Sequence, residues 1–353
     1  MEKEETVNDK ILALLSKKDA WQFISKSPLG QQIAIAGEAG KIMTEDIDNG
    51  KKRDEVFYTN AIFATRVALR SVLEKNEGFV IMAKPMMPAI MIDFPNTITV
   101  ALSEEDAKDY IHALEANGQS DCFALKVDQL ENYFHEKIMK DGYHFLCVIY
   151  EGSYVVFTRY DFFAVYGMQE YEIEEELDMY SSTSAVEAYV QTVKMSKTNK
   201  DFDKEDLEKK RINAMLHLAI SGLCVAVESS KGKEDDPIRD YDLEWLVKNV
   251  STVKTEIGGE KVDAFPVYTS AYVVFRTCEE EEYRFIHDLP LELDYMKLIP
   301  QSYIVINPKT ADFVISKESL KLQIEEAQNM SDIDKYNILG FVPEPEEDWP
   351  SKF

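Results

Sequence analysis

Apolar positions at Val7, Ile11, Leu14 and Leu15 recur at helical spacing and predict an amphipathic helix, with Asn8 and Asp9 available to cap it. Trp21, Phe23 and Ile24 continue an apolar face that Ser27-Pro28 ends. A polar stretch with Asn49-Gly50 and Lys51–Asp54 then reads as a turn. Residues 1–55 are therefore expected to form a helical N-terminal region, separable from the rest of the chain. From residue 56 the period changes. A helical pattern through Ile62, Val67, Leu69 and Leu73 stops near Asn76 and Gly78, and the β-rich runs GFVIMA and ITVAL come next. Ser103, with acids in the next turn and Asp106 three residues on, reads as a capping box that opens a helix ending at Asn117-Gly118. CFALKV, the helical DQLENYFHEKIMKDG and two strands joined at Glu151-Gly152 complete a mixed block over residues 56–167.

Residues 168–206 are acidic, then Ser/Thr-rich, then Lys-bearing, and read as a linker. Val186, Tyr189, Val190 and Val193 offer one amphipathic helix within it. Residues 207–330 then repeat the order of the first block. RINAMLHLAISGLCVAVES answers FATRVALRSVLEKNEGFVIMAK, AFPVYTSA answers NTITVALSEE, and LPLELDYMKLIP answers LKVDQLENYFHEKIM. SYIVINPKTADFVIS answers YHFLCVIYEGSYVVFTR, and KESL or YDFF closes each copy. Residue identity is low, so the argument rests on the order, spacing and type of the elements. The expectation is an α/β (α+β) chain of two repeated mixed-sheet modules. Residues 331–353 form a tail, where Phe341–Phe353 holds three prolines and four acids.

The second copy brings a resemblance. AFPVYTSAY, then a strand ending in INP, then DFVISKESL, resembles the SseB-like family, the enhanced serine sensitivity proteins. Phe265, Pro266, Val267, Tyr268, Thr269, Ser270, Ile306, Asn307 and Pro308 carry the match, over about a third of the chain. The first copy has Thr99, Val100 and Ala101 where Tyr268, Thr269 and Ser270 would lie, and Glu151-Gly152 in place of Asn-Pro. Its membership comes through the repeat alone. The resemblance implies a compact bacterial α/β module, usually treated as non-enzymatic, and so speaks to fold more than to activity.

Charge narrows the partners. The 353 residues carry 65 acids against 39 Lys plus Arg, a formal charge of −26. Nucleic acid and anionic membrane are disfavoured, because phosphate binding needs Lys and Arg to displace counterions. A basic protein is favoured by the same field, which also keeps the chain dispersed. The apolar stretches Phe79–Ile92 and Ala214–Val227 are shorter than the roughly 20 residues of a spanning helix. The charged start MEKEETVNDK lacks an apolar leader, and Cys122, Cys147, Cys224 and Cys278 show no CxxC pairing. These features point to a cytoplasmic protein.

Candidate chemistry fails at named positions. GEAGK, Gly37–Lys41, has Ile35 where a phosphate loop needs glycine and Ile42 where it needs Ser or Thr, so it reads as a small-residue turn or helix contact. A calcium loop around Asp46, Asp48 and Gly50 would place Ile47 and Val56 at ligand positions, which leaves a solvated turn. His112, His135, His144, His217 and His287 form no metal-binding pair, and His217 reads as a core histidine. The acid runs Glu170–Asp178 and Glu279–Glu282 read as solvated faces or contacts for a basic partner, and the aromatics mostly as strand packing. No catalytic, cofactor or metal residues are assigned. Pro266, Tyr268, Thr269, Ser270, Asn307 and Pro308 have two readings. They are structural, as a helix cap and a strand turn, or they line a partner-binding edge. The expected function is non-enzymatic protein binding, with immunity-like capture of a basic protein as one form. The alternative is a ligand sensor or enzyme with a pocket between the modules.

Overall fold

The computed structural model describes residues 7–91, 96–168, 181–199, 202–228, 243–279, 283–289, 293–331 and 334–335. The chain divides into two compact units, Met1–Met179 and Tyr180–Phe353, and both are α/β. In the first unit α1 (Val7–Leu15), α2 (Ala20–Lys26), α3 (Leu29–Asp48) and α4 (Glu55–Lys75) precede β1 (Gly78–Ala83), β2 (Met87–Pro88) and β3 (Thr97–Ala101). Then come α5 (Glu104–Ala116), β4 (Cys122–Val127), α6 (Leu130–Asp141), β5 (Phe145–Tyr150), β6 (Ser153–Thr158) and α7 (Arg159–Val165). The strands lie in the order β4-β1-β3-β5-β6, with short β2 beside the end of β1. Among the described strands of this unit, only β3 and β5 run parallel.

Period-two alternation sorts the side chains of this sheet. Val80, Met82, Ile98, Val100, Leu146, Val148, Val155 and Phe157 join Ile33 and Ala36 of α3, Leu69 of α4, Phe134 of α6 and Phe162 of α7 in one core. Ile81, Ala83 and Ala101 face the opposite way and meet Ala107 and Leu114 of α5. The N-terminal region is not separable. Ile11, Leu15, Ala20 and Ile24 pack on Ile35, Ala39, Phe57 and Ala61, while α3 reaches the sheet. Trp21 and Phe23, expected on the apolar face of α2, are exposed, and Ala20 and Ile24 make that face instead.

GEAGK lies inside α3, where a side chain at Gly37 would strike the backbone carbonyl of Tyr154 on β6. The glycine answers a need for close helix-to-strand approach, not for phosphate. Asp46 is likewise no solvated ligand. It is buried near the end of α3 and paired with Arg53.

The second unit contains α8 (Thr183–Thr198), α9 (Lys204–Ser221), β7 (Leu223–Glu228), α10 (Leu243–Lys248), β8 (Val253–Ile257), β9 (Glu260–Val267) and α11 (Ala271–Thr277). It continues with β10 (Tyr283–Leu289), α12 (Leu293–Leu298), β11 (Tyr303–Ile306), β12 (Phe313–Ser316) and α13 (Lys317–Gln328). Here β10 pairs β7, β7 touches β9 through a Cys224–Tyr268 bridge, and β9, β11 and β12 complete the series. With β8 left aside, which pairs the first half of β9 antiparallel, the order β10-β7-β9-β11-β12 follows β4-β1-β3-β5-β6, the contact between β7 and β9 being one bridge rather than a ladder, and the parallel pair falls at the same place.

The registers agree as well. Ile304 faces Phe265 as Leu146 faces Ile98, and Tyr303 faces Ser316 as Phe145 faces Thr158. Ser316 and Thr158 then cap the next helix, α13 or α7. The duplication extends one helix beyond the expected module. α8 packs on α9 as α3 packs on α4, and it occupies Thr183–Thr198 of the stretch read as linker. Val186 and Val190 of the foreseen helix are buried in it. Residues 341–353 and the run Glu170–Asp178 lie outside the described residues.

Candidate functional site

The strand ends that carry the family resemblance come together in the second unit. Tyr268 exchanges both backbone hydrogen bonds with Cys224, each 2.8 Å, which ends β9 against β7. Pro266 sits two residues earlier, so its position turns to the same side of β9. The β8 ladder has already stopped at Ala264 there, and the missing Pro N–H deprives no strand of a partner. Thr269 comes next and meets Asn307, the first residue after β11. Asn307 Oδ1 accepts from the Thr269 amide at 2.8 Å and from Thr269 Oγ1 at 3.2 Å, and Asn307 Nδ2 lies 2.9 Å from the same hydroxyl. Thr183 Oγ1 of α8 joins them, 2.6 Å from Thr269 Oγ1.

Asn307 has a left-handed backbone, φ 51°, and is 0% exposed. Its N–H donates to Val267 O at 2.9 Å, and its C=O accepts from Asp312 N, also at 2.9 Å. Asparagine tolerates this conformation better than most residues, and its amide can accept and donate at once. Ser270 caps α11, its hydroxyl accepting from Val273 N at 3.4 Å. Pro266, Tyr268, Thr269, Asn307 and Pro308 are buried and Ser270 is half-buried. The Thr269 and Asn307 groups join β9, β11 and α8, and the Ser270 hydroxyl caps α11, which is the structural role expected of a helix cap and a strand turn.

The first unit closes the same junction with different chemistry. With Ile98 opposite Leu146 and Phe265 opposite Ile304, Ala101, Leu102 and Ser103 stand where Tyr268, Thr269 and Ser270 stand. The sequence alignment through Thr99, Val100 and Ala101 is thus corrected by two positions. The two serines confirm it, since each caps the helix that leaves the strand, α5 or α11. Asp106 of α5 then does what Asn307 does in the second unit. Its carboxylate accepts from Ser103 Oγ, from Glu151 N at 3.2 Å and from Gly152 N at 3.1 Å. Glu151 and Gly152 both have positive φ, a two-residue turn matched to strand twist, whereas the second unit uses a longer turn from Asn307 to Asp312.

The thiols behave as small apolar groups. Cys147 is buried and pushed up to about 12, and Cys122 rises by burial to about 11. Tyr110 of α5 rises to about 12 by burial, helped by neighbouring Cys147. Thiols held this far from ionisation are poor nucleophiles. All four cysteines are free. Among the described residues, no group of three His, Cys, Asp or Glu could hold a metal ion, and no helix is long and apolar enough to cross a membrane.

Sequence reasoning missed an outward-facing pair. On α11, Val273 and Val274 enter the core, while Tyr272 and Phe275 are 42% and 56% exposed with ring centroids 6.1 Å apart. The aligned caps place Glu105 and Lys108 of α5 at the same positions. An i, i+3 aromatic pair on the side of a helix opposite its buried valines was the available signal, and it was absorbed into the strand-packing reading. Thr183, hidden in the Ser/Thr-rich stretch, was missed as well. Comparison of the chain with protein-family models, with characterised proteins and with solved structures returns no match.

Proposed function

We propose that the chain is a non-enzymatic cytoplasmic protein, built of two SseB-like modules, that binds a basic protein in an immunity-like capture. The observation that carries this reading is the surplus of 65 acids over 39 bases, a formal charge of −26. Part of it is laid out on exposed helix. On α5, Glu104, Glu105, Asp109 and Glu115 are exposed, and Lys108, held by Glu104 at 2.7 Å, is the single Lys or Arg among the residues of that helix. Such a field raises the rate at which a cationic protein is met and weakens as salt screens it. Four free thiols fit a reducing compartment. The family relation draws on the Pro266–Ser270 strand end, the Asn307-Pro308 turn and the matched strand order.

The test is retrieval with the tagged full chain from its native cell at low salt, then release in rising salt. Basic proteins, released as ionic strength rises, are the expected catch. An empty bait, or partners held without regard to salt and charge, removes the proposal.

A further inference from the structure

We infer that β4 is a pairing edge for a second copy of this chain, the two β4 strands joining antiparallel about a two-fold axis at Ala124. The inference concerns the first unit and stands independently of acidic capture. β4 is the outer strand of its sheet and pairs with β1 along its whole length, Cys122–Val127. The phase of its hydrogen bonds is set at one end. Lys84 N donates to Asp121 O at 3.2 Å, one step beyond the pairing of Ala83 with Cys122. In an antiparallel ladder such bonds recur at every second residue. Phe123, Leu125 and Val127 therefore turn their N–H and C=O groups towards β1, and Cys122, Ala124 and Lys126 turn theirs outwards. On the other side of β1, the bond from Ala89 N to Ile81 O at 2.8 Å fits the same phase.

Among the described residues, no hydrogen-bond partner meets these outward backbone groups. Ala124 and Lys126 are exposed and Cys122 is half-buried. An edge of this kind is a template for another strand, and folds blunt it with a bulge, a proline or a charge. β4 has no proline and no break in its register with β1, and the charge of Lys126 is paired with Asp128 at 3.0 Å. Its counterpart β10 is interrupted by a register shift between Tyr283 and Phe285.

The outward residues decide the occupant, because their pattern is its own complement. They are spaced by two around Ala124. An antiparallel copy thus places Ala124 opposite Ala124 and Cys122 opposite Lys126, and every outward N–H and C=O is met. Opposite residues share a side of the sheet. Phe123, which borders the core with Leu125 and Val127, then stands opposite Leu125 of the other copy. On the α5 side, Lys126 arrives at Cys122, whose thiol is raised by burial and then by the nearby charges of Glu115 and Asp121. Both carboxylates are exposed, so each copy offers two acids to the other's lysine.

Sedimentation of the full chain over a range of concentrations is the test. One short strand pair is a small interface, so a dimer with a dissociation constant on the order of micromolar is expected. It should tighten as salt screens the −26 on each copy, the reverse of acidic capture. Ala124→Pro removes the central outward N–H and leaves the β1 ladder intact, so it should weaken the dimer about tenfold with an unchanged urea midpoint. Lys126→Glu should weaken it in the same direction. Ala124→Cys should cross-link two copies under mild oxidation, because directly opposed residues have Cα atoms about 5.5 Å apart, and the unsubstituted chain should not.

A monomer at every concentration overturns the pairing edge, and so does a dimer that folded Ala124→Pro leaves unchanged. Should Ala124→Pro fail to fold, a dimer of Ala124→Cys that does not cross-link overturns it instead. A monomeric chain that retrieves another protein through β4, and loses it in Ala124→Pro, would assign the edge to that protein and overturn the second copy.

Discussion

Asn307 illustrates how much one side chain carries when it is buried, polar and left-handed at once. Its amide satisfies the Thr269 N–H and hydroxyl, and its backbone sits at φ 51°. Asn307→Gly keeps the conformation and removes the amide, leaving a buried donor unpaired, and should cost about 2–3 kcal/mol in urea unfolding. Asn307→Ala adds the left-handed penalty and should cost about 1 kcal/mol more. Equal losses in the two variants would mean that the backbone relaxes out of the left-handed region. The GEAGK glycines separate in the same spirit. Gly37→Ala drives a methyl into the Tyr154 carbonyl and should destabilise by at least about 2 kcal/mol. Gly40→Ala meets nothing within 4 Å and should stabilise by about 0.5–1 kcal/mol. Thermal unfolding of the two variants, shifting in opposite directions, checks the assignment.

At the scale of elements, α5 packs on the sheet through Tyr110 beside buried Cys147. All three raised groups there are acids whose neutral form the fold prefers. Cys147 and Cys122 rise from 9.0 and Tyr110 from 10.0. A group raised on folding stabilises fully below its unfolded value and loses that contribution as pH climbs through its folded one. Stability of the first unit should therefore be flat from this source below about pH 9 and fall between about pH 9 and 12. Cys147→Val lacks the titrating thiol, so its stability should decline less steeply over that window. Parallel urea curves for the two proteins across the window would refute the cause.

Element order was legible where period and punctuation agreed. The stop of α4 at Asn76, the cap at Ser103 and the Glu151-Gly152 turn all stand where the pattern put them. Helix α8 was hard to read because Ser182, Thr183, Ser184, Glu187 and Gln191 are buried, so polarity no longer marks the solvent side. The placement of α3 against the sheet was hidden for a related reason. It depends on the absence of a side chain at Gly37, which no hydropathy pattern records.

Across the whole molecule, the duplication was readable as an order of elements, but its register was not. Strands β3 and β9 share a single identity along the parallel pairing, Val100 with Val267, so the offset is read from the strand registers and confirmed by the helix caps Ser103 and Ser270. That offset decides the candidate site. It sets Tyr272 and Phe275 against Glu105 and Lys108, while Thr269 and Asn307 are buried in their own unit.

The most direct measurement of acidic capture is the affinity of the full chain for a Lys-rich peptide, followed by calorimetry through a salt series. Binding that weakens steadily as salt rises is the predicted result. Binding that is indifferent to salt, or none at the lowest salt, would contradict it.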